Sequence, residues 1–95
     1  MSPHPAAYKH RAAPQFWRSF YALSAAQKES VRTAWRKFKI NPFDPSLGTH
    51  KIHSLSAKAG TTVYSVVIES DLRVVFHIIG DTVWTIDVGT HTMYR

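Results

Sequence analysis

Cysteine is absent from the 95 residues, which excludes disulfides and thiolate metal sites and leaves packing to hold a small fold together. Long apolar runs are absent as well, and nothing approaches the roughly 18 apolar residues of a membrane-spanning helix. The first twenty residues hold Lys9, Arg11 and Arg18 with three prolines and no apolar segment, so they do not read as a secretory signal. A cytoplasmic, reducing location is the expectation. There is no Gly-rich phosphate loop, no nucleophile elbow and no H-E-x-x-H pair. His50 and His53 would point to opposite faces of a strand and so could not chelate together; neither a metal nor a small-molecule cofactor is expected.

Acid is scarce where base is dense. Residues 1–58 hold ten of the twelve Lys and Arg against only Glu29 and Asp44, a balance of +8, while residues 59–95 come to −2. Such asymmetry is either a solvated basic surface or a footprint for a polyanion, whose counterions are released when cations line its backbone. The length suits one domain spanning 1–95, able to bury roughly 60 to 65% of its unfolded surface in a single core.

Residues 1–13, rich in Ala, Pro and His, form either a tail or a short edge strand around 8–12. From Pro14 the period becomes helical, with Phe16, Phe20 and Leu23 on one face. Ser24-Ala25-Ala26-Gln27 has the form of a capping box and starts a second helix. Its apolar stripe is Val31, Ala34, Trp35 and Phe38, and Asn41-Pro42 stops it. Strands are expected at about 49–55, 62–69, 72–79 and 82–88, where Val, Ile, Thr, Tyr, Phe and Trp concentrate. Gly80-Asp81 suits a two-residue hairpin turn, and Ser70-Asp71 is a second candidate. Two such turns set Ile79 opposite Thr82, Arg73 opposite Val88 and Ile68 opposite Arg73. One face then carries Arg73 with Tyr64, Val66 and Val75, and the other carries Asp87 with Val74 and Phe76. Both are mostly apolar, so periodicity does not say which one the helices cover, and a slip of one residue exchanges the sets.

The polar residues near the C-terminus suit chemistry on phosphate. Cutting RNA through its own 2′-hydroxyl needs a group to take that proton, a cation for the charge on phosphorus and an acid for the departing 5′-oxygen. Arg73 can clamp a phosphate with its planar fork, or be an ordinary arginine at a turn. His91 can act as acid or base, or be a solvated loop residue. Tyr94 can stack on a base, donate a proton or cap the core. His77 reads as a satisfied core histidine; Trp17, Trp35 and Trp84 read as packing, although Trp84 can stack on a base if exposed.

Read together, the basic helical hairpin, N-P-F-x-P-S-L at 41–47, T-H-K-I at 49–52, Tyr64-Ser65, D-L-R-V-V-F at 71–76 and V-G-T-H-x-x-Y-R at 88–95 resemble the RelE/ParE toxin superfamily, nearest its RelE and YafQ branch. The resemblance runs in order over residues 14–95. It implies an α+β fold, a helical hairpin on one face of a small, mainly antiparallel sheet of three to five strands. It also implies a toxin of a type II toxin–antitoxin pair: a ribosome-dependent, metal-independent endoribonuclease that cuts messenger RNA and inhibits translation. The implied partners are an antitoxin protein, with which it can form a hetero-oligomer, and the ribosome with its message.

Carried over by position, Arg73 matches the arginine at the scissile phosphate, His91 the acid–base histidine and Tyr94 the substrate-orienting aromatic. His50 matches a second-strand histidine, with His53 as its rival. Lys51, Arg32, Arg36, Lys37, Lys39 and Arg95 are the implied RNA or phosphate contacts. The second arginine and the lysine pair of the RelE prototype have no plain counterpart, and Glu69 and Asp71 are the candidates for the acid used by some members. The rival reading is a ParE-like poison of DNA gyrase that acts by binding, and a third is a non-catalytic module on the same fold. His91 and Tyr94 after the last strand favour the nuclease.

Overall fold

The computed structural model describes residues 8–53, 56–57, 60–69 and 71–90. The N-terminal segment within them is an edge strand, β1 (Lys9–Ala12). Pro14 follows and opens α1 (Pro14–Tyr21), where its fixed φ and missing N–H suit the first turn of a helix. Ser24 caps α2 (Ala25–Ile40) by the expected reciprocal pair. Its Oγ accepts from Gln27 N at 3.1 Å, and the Gln27 side chain accepts from Ser24 N at 3.0 Å. Asn41, extended before Pro42, ends α2. A 3₁₀ turn at Pro45–Leu47 follows, capped by Asp44, whose Oδ1 accepts from Ser46 N at 2.9 Å and Ser46 Oγ at 2.7 Å.

Four more strands complete one sheet: β2 (His50–Lys51), β3 (Val63–Glu69), β4 (Leu72–Ile79) and β5 (Thr82–Thr90), in the order β1-β5-β4-β3-β2. Strands β2 to β5 pair antiparallel, and β1 lies parallel to β5, so the sheet is mixed. The strand expected over 49–55 is shorter than its sequence suggested. Ile52 N donates the last ladder bond, to Val63 O at 2.8 Å, and the chain then turns helical, with Ser56 N donating back to Ile52 O at 2.9 Å. Ser56 Oγ donates to Ile52 O and accepts from Val63 N, tying the helical turn to the start of β3.

The register departs from straight pairing at two bulges. Ile79 does face Thr82 across the Gly80 turn, where Gly80 has φ +62°. Beyond Phe76, which faces Thr85, the register slips so that Val75 faces Asp87 and Arg73 faces Gly89 rather than Val88. A second irregularity between Val67 and Glu69 sets Arg73 opposite Val67 rather than Ile68. A bulge adds a residue to one strand and inverts the alternation beyond it. Tyr64, Val66, Val74, Phe76, Val83 and Val88 therefore share the helix-covered face, and Arg73, Val75, His77, Trp84 and Asp87 share the other.

The core lies between that first face and the hairpin: Phe16 and Phe20 of α1, Val31 and Phe38 of α2, Leu47, and the sheet residues just named. Phe76 is its centre, edge-on to Phe38 at 4.9 Å and stacked on Tyr64 at 5.3 Å. Ala34 and Trp35, the rest of the α2 stripe, pack partly buried against it.

Candidate functional site

The face away from the helices carries the polar side chains that β2, β4 and β5 bring together. Arg73 lies near the start of β4, partly buried, its Nη1 donating to Leu72 O at 3.4 Å. Across from it on β5 is Gly89, which has no side chain to crowd the guanidinium. His50 on β2 pairs with Ser65 of β3, which pairs with Val75 of β4, so His50 shares the Arg73 face. Its Nδ1 lies 3.0 Å from Gly48 O. A carbonyl only accepts, so Nδ1 carries a hydrogen in this contact, which leaves Nε2 as the ring nitrogen outside that bond. Gly48 makes this possible through a left-handed φ of +59°, in a turn tight enough that an added Cβ would lie 3.2 Å from Val67 Cγ2.

Asp87 joins the same face, opposite Val75 and diagonal to Arg73. Its Oδ1 accepts from Val88 N at 2.8 Å. Ideal sheet spacing puts its Cα about 8 Å from that of Arg73, and the Cα of His50 about 12 Å from Arg73 on the other side. Straight pairing would have turned Asp87 to the opposite face, and no feature of composition marks the bulge that turns it back. Between these groups lies Ser65, wholly buried and with no hydrogen-bond partner for its Oγ among the described residues. At the far end of the face, His77 and Trp84 pair across β4 and β5, with Arg11 beyond them on β1. His77, read from sequence as a satisfied core histidine, has a buried Nδ1 that finds no partner among the described residues.

Other candidates lie elsewhere. Lys51 pairs with Tyr64 and so falls on the helix side of the sheet edge, away from Arg73. His53 is exposed in the helical turn after β2. Arg32, Arg36, Lys37 and Lys39 are exposed on α2, in the layer on the opposite side of the sheet from Arg73. Arg32 pairs with Glu29 at 3.3 Å, and Lys37 donates to Ser46 Oγ at 3.2 Å. Arg11, Arg32, Arg36 and Lys39 rim a groove of about 650 Å³ walled by Phe16, Trp17, Phe20, Tyr21 and Trp35. The expectations for His91, Tyr94 and Arg95 fall outside the described residues.

The surroundings of His10 and Asp44 shift both groups from their ordinary values. His10, on β1, is edge-on to Trp35 at 5.4 Å and Phe38 at 5.5 Å. Burial lowers its pKa and the Lys39 ammonium adds to this, opposed by the Lys39 carbonyl. Among the described residues neither ring nitrogen makes a hydrogen bond of good geometry, so burial decides the direction. The Asp44 carboxyl is held below the usual range by its bonds from Ser46, with the Lys37 charge acting the same way. Among the described residues no three His, Asp or Glu side chains group as a metal site, and no helix is long and apolar enough to cross a membrane.

No protein-family model matches the chain, nor does any curated protein. Solved structures do resemble it. A chain of the archaeal RelE–RelB complex from Pyrococcus horikoshii superposes with a TM-score of 0.69 at 13% identity, covering 90% of this chain and 96% of that one. A YoeB/ParE toxin from Agrobacterium tumefaciens gives 0.67 at 18%, covering 87% and 98%. A conserved hypothetical protein from Helicobacter pylori gives 0.65 at 18%, covering 90% and 96%. At these identities the likeness is one of architecture: the chain has the fold of the RelE/ParE toxins.

Proposed function

We propose that this chain is the toxin of a toxin–antitoxin pair and acts as a ribosome-dependent, metal-independent endoribonuclease in the cytoplasm. The observation that carries the reading is the sharing of one sheet face by Arg73 and His50, opposite the helices, on a fold shared with a RelE–RelB complex and a YoeB/ParE toxin. Arg73 grips the non-bridging oxygens of the scissile phosphate with its fork and offsets the charge that grows there. His50, its tautomer set by Gly48 O, exchanges protons through Nε2. His91 and Tyr94 follow β5 in sequence, two and five residues past Gly89, and supply a second acid–base group and a ring to orient the nucleotide. The cations of α2, on the other side of the molecule, hold ribosomal RNA. An antitoxin blocks the toxin in a hetero-oligomer.

The test is cleavage of a message loaded on purified ribosomes. The wild-type chain should generate new RNA 5′ ends, and Arg73→Ala should cut roughly 10²- to 10³-fold more slowly, as loss of one charge-stabilising donor does elsewhere. Equal rates for the two would remove the phosphate clamp from the account.

A further inference from the structure

Beside Arg73, His50 and His91, the resemblance leaves one role open, that of the carboxylate used by some members. Glu69 and Asp71, the acids nearest Arg73 in sequence, do not fill it from the strand ladder: Glu69 faces Leu72 on the helix side, and Asp71 sits in the turn. Asp87 is the only acid that the described strands bring to the Arg73 face. It gets there through the slip between Val75 and Phe76, a device that elsewhere re-aims side chains beside active sites. Its position is also held. Oδ1 is fixed by Val88 N–H, and Oδ2 makes no hydrogen bond among the described residues.

Order across the sheet supplies the second argument. Asp87 on β5 and His50 on β2 occupy the same cross-strand row, with Arg73 on β4 between them and one step along. In-line displacement at phosphorus needs base and acid on opposite sides of the phosphate, with the cation between. The strand order provides that sequence of groups.

We infer that Asp87 is a catalytic residue of this site, the base that takes the 2′-hydroxyl proton of the nucleotide whose phosphate Arg73 holds. This rests on the nuclease reading above. Oδ2 accepts the proton as the O2′–P bond forms; the P–O5′ bond breaks, and the leaving oxygen takes a proton from the His50 imidazolium. The products are a 2′,3′-cyclic phosphate and a 5′-hydroxyl end, with no further reactant. The carboxylic acid and the imidazole then exchange protons with water to reset the site.

Asp87→Asn separates this chemistry from any structural part the residue plays, because the amide keeps an oxygen to accept from Val88 N–H and loses only the base. With programmed ribosomes, single-turnover cleavage by Asp87→Asn should fall roughly 10²- to 10⁴-fold, a general base's usual contribution. Apparent affinity for the ribosome should stay unchanged, and the decline of the wild-type rate at acid pH should disappear. Urea denaturation of Asp87→Asn should match wild type, while Asp87→Ala, which loses the Val88 contact too, should be both slow and less stable. A variant Asn enzyme within threefold of wild type, or one that keeps the acid decline, would overturn the assignment while leaving the nuclease intact. A wild-type chain that cuts no RNA would overturn both.

Discussion

His10 shows how one side chain can tie the fold to pH. Its ring nitrogens are buried beside Trp35 and Phe38 without partners among the described residues, and Lys39 and Arg36 line the groove beside it with no carboxylate among the described lining residues. Burial lowers the folded-state pKa below the reference value of 6.5, so the unfolded chain binds the proton more readily. The stabilising contribution is therefore complete above that reference value and is lost as pH falls below it. The urea midpoint should drop between about pH 7.5 and about pH 5.5, and His10→Leu, which fills the same apolar space without a proton site, should flatten that drop. An identical pH slope in the two proteins would show that protonation of His10 does not load the β1–α2 contact. His50 and His10 differ at the same scale. One imidazole is exposed with its tautomer set by a carbonyl, and the other is enclosed by aromatic rings.

At the scale of the element, two bulges and one glycine decide what the site contains. Gly48 adopts a left-handed φ and sits against Val67, so Gly48→Ala should cost about 1 to 2 kcal/mol from the backbone alone and more from the 3.2 Å contact. Chemical denaturation measures this, and an unchanged midpoint would mean the turn relaxes freely. Most elements were legible in the residues: Pro14 and Ser24 start the helices by local chemistry, Asn41-Pro42 ends the second, and β-branched runs mark β3 to β5. The short β2 was harder, because Ser56 draws the chain into a helical turn through bonds to Ile52 and Val63 that no periodicity announces. The faces were legible only in part: the Gly80 hairpin keeps Arg73, Val75, His77 and Trp84 together as straight pairing expects, but the slip beyond Phe76 exchanges the sides of Asp87 and Val88. With apolar residues on both sides of each strand, a single slip costs little in pattern yet moves Asp87 and Arg73 onto the same side.

On the scale of the whole molecule, the hairpin divides the labour. It covers one face of a five-stranded sheet with an aromatic core and presents Arg32, Arg36, Lys37 and Lys39 outward, while the other face gathers Arg73, His50 and Asp87. The uneven charge of the sequence is the trace of that arrangement, since most of the basic excess lies in the helical half of the chain. On the proposed reading, electrostatic holding and bond cleavage occupy separate surfaces, and a charge change on α2 should alter binding without changing the cleavage rate of bound RNA. The most direct measurement of the central claim is a map of RNA 5′ ends in cells after induction of the chain. The account predicts new ends inside reading frames with the wild type and none with Arg73→Ala. Arrested growth with intact transcripts and broken or supercoil-altered DNA would contradict it and favour a gyrase poison on the same fold.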